Sequence, residues 1–377
     1  MSLPARHGDP PRIQREFRFP GRARFPAGCG GSGPRMKTPF PLITAGVLAG
    51  AILTARRTQD DLHGEVAVVT GASRGLGLLL ARELAGQGCP LVICARDAAE
   101  LERAADELRA AGAEVTTVAC DVTDEATPQL LIDTAVQRYG RLDILVSNAG
   151  VIQVGPVQAT QIGHYEMAMN TMALAPARLA LTALPVMRRQ GHGRIVTIGS
   201  IGGKISVPHL LPYSTAKFAA VGFSEGLRAE LGRGPVTVTT VVPGLMRTGS
   251  HLQARFTGQP AKEFTWFSLG ASLPLVSMDA ERAARQIIAA VRQRRAEIIL
   301  TPAGQLVSRA AGIVPGLTSE ILHLVQRLAL PAPAGEPGSA VADEAQGHDL
   351  RPAIGKKTFD RLTTLGQAAA SRFNERR

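Results

Sequence analysis

The stretch that decides the fold is VAVVTGASRGLGLLLARELAGQG, residues 66–88. It begins with a short continuous apolar run, the pattern of a strand buried on both faces, and ends with apolar residues at helical spacing. Between the two, Gly71, Ser73, Arg74, Gly75, Leu76 and Gly77 make a glycine-rich turn. Glycine there permits a tight reversal and lets a ligand approach the backbone, while the following helix presents free N–H groups and its positive dipole end to an anion. A strand, a glycine turn and a helix in that order predict a seat for the pyrophosphate of a dinucleotide.

Outward from this stretch the same alternation repeats. PLVICAR, EVTTVACDV, DILVSNAG, RIVTIGS and VTVTTVVPG read as strands, and segments such as AAELERAADELRAAG between them read as helices. Continuous apolar strands separated by helices predict an α/β fold, a doubly wound parallel sheet of the Rossmann type with helices on both faces. The catalytic domain is expected over residues 61–300.

The flanks differ in composition. Residues 1–35 are rich in Arg, Pro and Gly and are expected to be a disordered basic arm, with Met36 as an alternative start. Residues 36–60 hold the uncharged run FPLITAGVLAGAILTA at 40–55, between Lys37 and Arg56 and Arg57. As a helix it spans roughly 24 Å, short of the hydrocarbon core of about 30 Å, and the expectation is a membrane anchor holding the protein on the cytoplasmic side. A soluble arm packed on the body is the alternative, and the lack of an A-x-A site argues against a cleaved signal peptide. Residues 301–330 read as an amphipathic helical extension split at Pro315, and residues 331–377 as a polar, disordered tail.

The net charge of +11 does not indicate a nucleic-acid partner. Ten basic and two acidic side chains lie in residues 1–57, nine and seven in 301–377, leaving 23 and 22 for the body. Aromatics are only 4%, with no basic stripe interleaving them. The four cysteines, Cys29, Cys89, Cys94 and Cys120, form no C-x-x-C pair and the eight histidines are scattered, so no metal site is expected and a reducing compartment fits.

At the end of the second strand, where an NAD site presents an acid to the ribose, this chain reads ICARD. Arg96 there, with Arg74 in the glycine turn, would flank a 2′-phosphate, so NADP(H) is expected, with NAD(H) the alternative if Asp97 acts on the ribose. Asp97 also reads as the N-cap of the next helix, with Glu100 completing a capping box. Farther on, PYSTAKFAAVG at 212–222 places Tyr213 and Lys217 one helical turn apart on one face.

Together TGASRGLG, SNAG, SIGGKISVPHLLPYSTAK and PGLMRT resemble the short-chain dehydrogenase/reductase family, over about residues 64–300. The resemblance implies Ser200, Tyr213 and Lys217 as a catalytic triad, and Asn170 in MAMNTMA as the support of a proton-relay water. It implies that Asn148, Ala149 and Gly150 line the cofactor, Asp121 and Val122 meet the adenine, and Pro243, Gly244 and Thr248 close over the nicotinamide. Ser147 and Gly199 depart from the usual family residues without removing a reacting group, and the TGxxxGxG spacing argues against the sugar epimerases. The implied reaction interconverts a ketone or aldehyde and an alcohol. A free phenol, with pKa about 10, is a poor base near neutrality, so the Lys217 ammonium, together with the positive nicotinamide ring of the oxidised cofactor, is expected to lower Tyr213, and Lys217 to bind the nicotinamide ribose. Homodimers or homotetramers through the helices around Leu174 and Leu227 are implied as well.

Between Leu245 and Ser277 the segment EFTWFSLGASLPLV reads as an apolar substrate lid in which Trp266 and Phe267 either touch the substrate or pack on the body. With the anchor, it suggests a lipophilic substrate such as a steroid, a retinoid or a keto-lipid. The rival readings are a soluble 3-oxoacyl carrier-protein reductase type enzyme and a non-enzymatic NADP-binding sensor or scaffold.

Overall fold

The computed structural model describes residues 59–274, 277–332, 344–354 and 357–375. The basic arm and the apolar run at 40–55 lie outside the described residues.

Seven parallel strands form the central sheet: β1 (Ala67–Thr70), β2 (Leu91–Ala95), β3 (Val115–Ala119), β4 (Ile144–Ser147), β5 (Gly193–Ile198), β6 (Val236–Val242) and β7 (Glu297–Ile299). Their order is β7-β6-β5-β4-β1-β2-β3. Ala67 of β1 is in register with Leu91 on one side and Ile144 on the other, so the chain reverses its direction of travel across the sheet at β1 and β4. At such a switch point the loops after the strands part and leave a crevice.

Helices cover both faces because each strand buries side chains on both. On one face α1 (Gly75–Gly86) and α2 (Ala98–Ala110), with α8 (Ala280–Arg292), close over Leu78, Leu80, Leu84, Leu101 and Ile287. On the other α3 (Thr127–Tyr139) and α5 (Ala175–Gln190) close over Leu131, Leu179 and Met187. Each such fully buried aliphatic side chain contributes about 1.5–3 kcal/mol. The long helix α6 (Leu211–Leu231) carries Tyr213 and Lys217 and begins with Pro212 in its first turn, where a missing N–H costs nothing. Ahead of α5, α4 (Ile162–Met169) runs into a π-helical turn, Asn170–Leu174.

Beyond β6, in the segment expected to be a lid, helix α7 (Pro260–Ser272) belongs to a separate apolar cluster of Val154, Leu252, Phe256, Phe264 and Phe267. After β7, α9 (Pro302–Ile313) and α10 (Pro315–Ala329) break at Val314 and leave Leu306, Ile313 and Leu328 more than two thirds exposed.

The tail departs from the expectation of disorder. Residues 347–354 form α11 and residues 357–372 form α12, which packs against α7. Ala369, Ala370, Phe373 and Glu375 are buried. A polar tail folds here because its few apolar side chains share one face of a helix and find an existing cluster to join, which composition alone does not show.

Candidate active site

Thr70, at the end of β1, ties the crevice together. Its hydroxyl accepts from the backbone N–H of Asn148 at 3.0 Å and of Ala149 at 3.1 Å, and Asn148 Nδ2 donates to the carbonyls of Thr70 at 3.0 Å and Gly71 at 3.1 Å. The turn itself needs its glycines. Gly71 has φ +64°, and a Cβ on Gly77 would stand 2.0 Å from the Gly71 carbonyl oxygen.

The crevice has a volume of about 600 Å³. Gly71, Ser73, Arg74, Gly75, Leu76, Gly77, Arg96, Asp121, Val122, Asn148, Ala149, Gly150, Pro243, Gly244 and Thr248 all line it, and so do Ser200, Tyr213 and Lys217. Asn170 does not. It is exposed at the start of the π-helical turn, and Thr171 and Met172 form the wall there.

Ser200 follows β5 and its Oγ accepts from the Gly202 N–H at 3.0 Å, so the hydroxyl is fixed as the cap of a short 3-10 turn. Tyr213 is half-buried, and desolvation raises its phenol above the ordinary value of 10.0, opposed by a hydrogen bond with Ser200. Lys217 is buried, donates to the Ile198 carbonyl at 2.7 Å and is pushed down to about 8 by desolvation. Burial works against both charged forms, so Lys217 alone does not lower the phenol here; the expected lowering also involves the positive nicotinamide ring of the oxidised cofactor.

The two arginines also differ from expectation. Arg74 grips Glu100 through Nη1, at 3.0 and 2.8 Å to its two oxygens, and its Nε lies 3.5 Å from Glu375. Its charge is already neutralised. Arg96 is 65% exposed and only 3.9 Å from Asp121, which leaves it open to a ligand. Asp97 caps α2 by accepting from the Glu100 N–H at 2.9 Å. The aromatics of α7 pack on the body, since Phe267 is buried among Val154, Leu252 and Phe256 and the Trp266 ring meets that of His209 edge-on, centroids 6.4 Å apart. Cys89 and Cys94 are buried, while Cys120 is half-buried on the crevice wall.

Sequence reasoning missed Glu375, which is 4% exposed and lines the same crevice. Burial pushes its carboxyl up to about 8, with Arg74 opposing and Glu100 reinforcing the shift. No local pattern marks an acid near the end of a polar tail. Only the even spacing of apolar residues along α12 hinted that the segment would dock.

Comparison with known proteins follows the same lines. The short chain dehydrogenase family pattern matches residues 65–257. A protein assigned as ketoacyl reductase 1 of the granaticin polyketide synthase of Streptomyces violaceoruber is 36% identical over 234 residues, 60% of this chain and 85% of that protein. Dehydrogenase/reductase SDR family member 7B of Bos taurus is 33% identical over 269 residues, 69% of this chain and 81% of the relative. Among solved structures, a short chain dehydrogenase/reductase from Burkholderia phymatum in complex with NAD superposes with a TM-score of 0.63 at 26% identity, covering 73% of this chain and 99% of that one.

Proposed function

Because the chain belongs to the short-chain dehydrogenase family, we propose that it is an NADP(H)-dependent oxidoreductase interconverting a ketone or aldehyde and an alcohol on a lipophilic substrate. The observation that carries this reading is that Ser200, Tyr213 and Lys217 stand in the same crevice as the glycine turn. The turn suits a pyrophosphate, since the bare Cα of Gly77 lets α1 start close against the Gly71 carbonyl with Gly75, Leu76 and Gly77 lining the crevice. The glycine turn, Asn148 to Gly150 and the Pro243 to Thr248 loop would hold the dinucleotide, which when bound would supply the hydride. In the reductive direction Ser200 hydrogen-bonds the substrate oxygen, and Tyr213, kept protonated by burial, donates its proton to that oxygen as negative charge develops there. Lys217 holds its ammonium beneath the phenol and would bind the nicotinamide ribose.

Arg96 supports NADP(H), because it is the exposed guanidinium at the end of β2. Val151, Ile152, Met172 and Met246 on the crevice wall favour an apolar substrate. A second reading, reduction of a 3-ketoacyl thioester, rests on the similarity to the Streptomyces protein. The test is to follow NADPH oxidation with steroid, retinal and long-chain ketones beside acetoacetyl thioesters. Turnover confined to small polar carbonyls would overturn the lipophilic assignment.

Membrane association through residues 40–55 rests on that run's composition, and the exposed apolar residues of α9 and α10 are compatible with it. Among the described residues no helix is long and apolar enough to cross a membrane. Cell fractionation with and without residues 1–57 tests this. A homodimer or homotetramer is supported by Leu174, Leu181 and Phe218, exposed on and beside α5 and α6, and light scattering on the purified protein decides it.

A further inference from the structure

The N–H of Gly75, the first residue of α1, donates to the Phe373 carbonyl at 2.9 Å. Next to it Asn374, at φ +57°, turns its Nδ2 onto the Ser73 carbonyl at 2.8 Å. Glu375 then enters the crevice. Its Oε1 lies 2.6 Å from where a Cβ on Gly75 would stand, and Cβ of Thr248 lies 3.9 Å from the same point. The carboxyl therefore fills the space between the glycine turn and the loop carrying Thr248, which is where the turn's bare backbone would meet a pyrophosphate.

The seat is built rather than casual. Glu375 N–H donates to the Ala370 carbonyl at 2.9 Å, and Gln253 Nε2 donates to the Glu375 carbonyl at 3.0 Å. Phe373 is 2% exposed within the core, with the Arg82 guanidinium 5.9 Å from its ring centroid. Yet among the described residues Glu375 Oε2, buried, makes no hydrogen bond and has only Arg74 Nε at 3.5 Å. A buried acceptor left in that state is a weak point in an otherwise satisfied segment, and it marks a contact that a better ligand can replace.

We infer that Phe373–Glu375 is an intramolecular competitor of the dinucleotide, occupying the pyrophosphate seat with a backbone carbonyl and a carboxyl group until the cofactor displaces it. The inference rests on the reading of the crevice given above. It makes dinucleotide affinity the difference between cofactor binding and tail docking, so that whatever draws the tail away raises affinity.

The experiment compares the full chain, a chain ending at Arg372, and Glu375→Ala. Each is titrated with NADPH, NADH and inorganic pyrophosphate, and amide exchange over residues 363–375 is followed in the full chain with and without NADPH. The expected result is binding at least about fivefold tighter in both variants, with faster exchange in the tail when NADPH is added. Equal or weaker binding in the variants, or a tail that becomes more protected with NADPH, overturns the inference and leaves the crevice reading intact. If no variant binds any dinucleotide, the crevice reading fails and this inference falls with it. Should the shortened chain not fold, Glu375→Ala, which keeps Phe373 in the core, decides between these outcomes.

Discussion

Lys217 Nζ stands 5.7 Å from the centroid of the Tyr213 ring and gives a hydrogen bond to the Ile198 carbonyl at 2.7 Å. The ammonium is thus held under the phenol by the end of β5, and the two groups meet as electrostatic neighbours. Tyr213→Phe removes the proton donor and keeps this packing. We expect kcat to fall by roughly 10²–10⁴-fold with the dinucleotide Kd changed by less than about twofold. Steady-state rates beside a fluorescence titration check both halves, and a Tyr213→Phe enzyme with undiminished turnover would remove the tyrosine from the chemistry.

Lys217, pushed down to about 8 by desolvation, loses its charge within the working range, whereas Tyr213 is raised and stays protonated there. Reductive kcat/KM is therefore expected to fall as pH rises through about 8. Lys217→Arg keeps a charge at all accessible pH values, so whatever activity it retains should lose that alkaline limb. An unchanged limb in the variant would assign it to another group.

Arg74 is held by Glu100 while Arg96 is open, so the two arginines should contribute unequally to a 2′-phosphate. Arg96→Ala is expected to weaken NADPH about tenfold or more with little effect on NADH, and Arg74→Ala to do less. Glu100→Gln, which loosens the grip on Arg74, should tighten NADPH binding. Dissociation constants for both dinucleotides across the three variants are the measurement, and equal losses from Arg74 and Arg96 would contradict the unequal roles.

Glu375 ties cofactor affinity to pH. Free in an undocked tail its carboxyl has its ordinary value of 4.5, and docked it lies at about 8, with Arg74 and Glu100 the charged groups that face it among the described residues. Docking therefore takes up a proton between these values and weakens as pH rises through that window. The full chain should bind NADPH more tightly at pH 8 than at pH 5.5, and Glu375→Ala should show a flatter profile. Parallel slopes in the two proteins would separate the tail from the pH effect.

The chemistry along the chain was legible where it depends on local pattern. Strand, glycine turn and helix follow one another in residues 66–88 because backbone sterics and hydrophobic period act over a few residues, and the same holds for the helical face shared by Tyr213 and Lys217. From such segments the parallel sheet, its helices on both faces and the crevice at β1 and β4 follow with little freedom. The resemblance carried by four short motifs then assigned roles to residues far apart in sequence.

Only the tertiary structure decided which charges meet. Arg74 reads as a phosphate ligand from its place in the turn, but Glu100 comes from α2 to neutralise it, and Glu375 comes from far along the chain to lie 3.5 Å away. Likewise the phenol and the ammonium could not be assigned their protonation from spacing, because desolvation depends on everything packed around them. The polar tail looked unstructured because its own composition cannot bury enough apolar surface, and it folds because the core beside α1, with Ala369 and Phe373, and the cluster under α7, with Ala370, supply the missing partners. Sequence fixes local geometry through short-range sterics and periodicity, whereas long-range Coulomb interactions and burial exist only once distant segments are brought together.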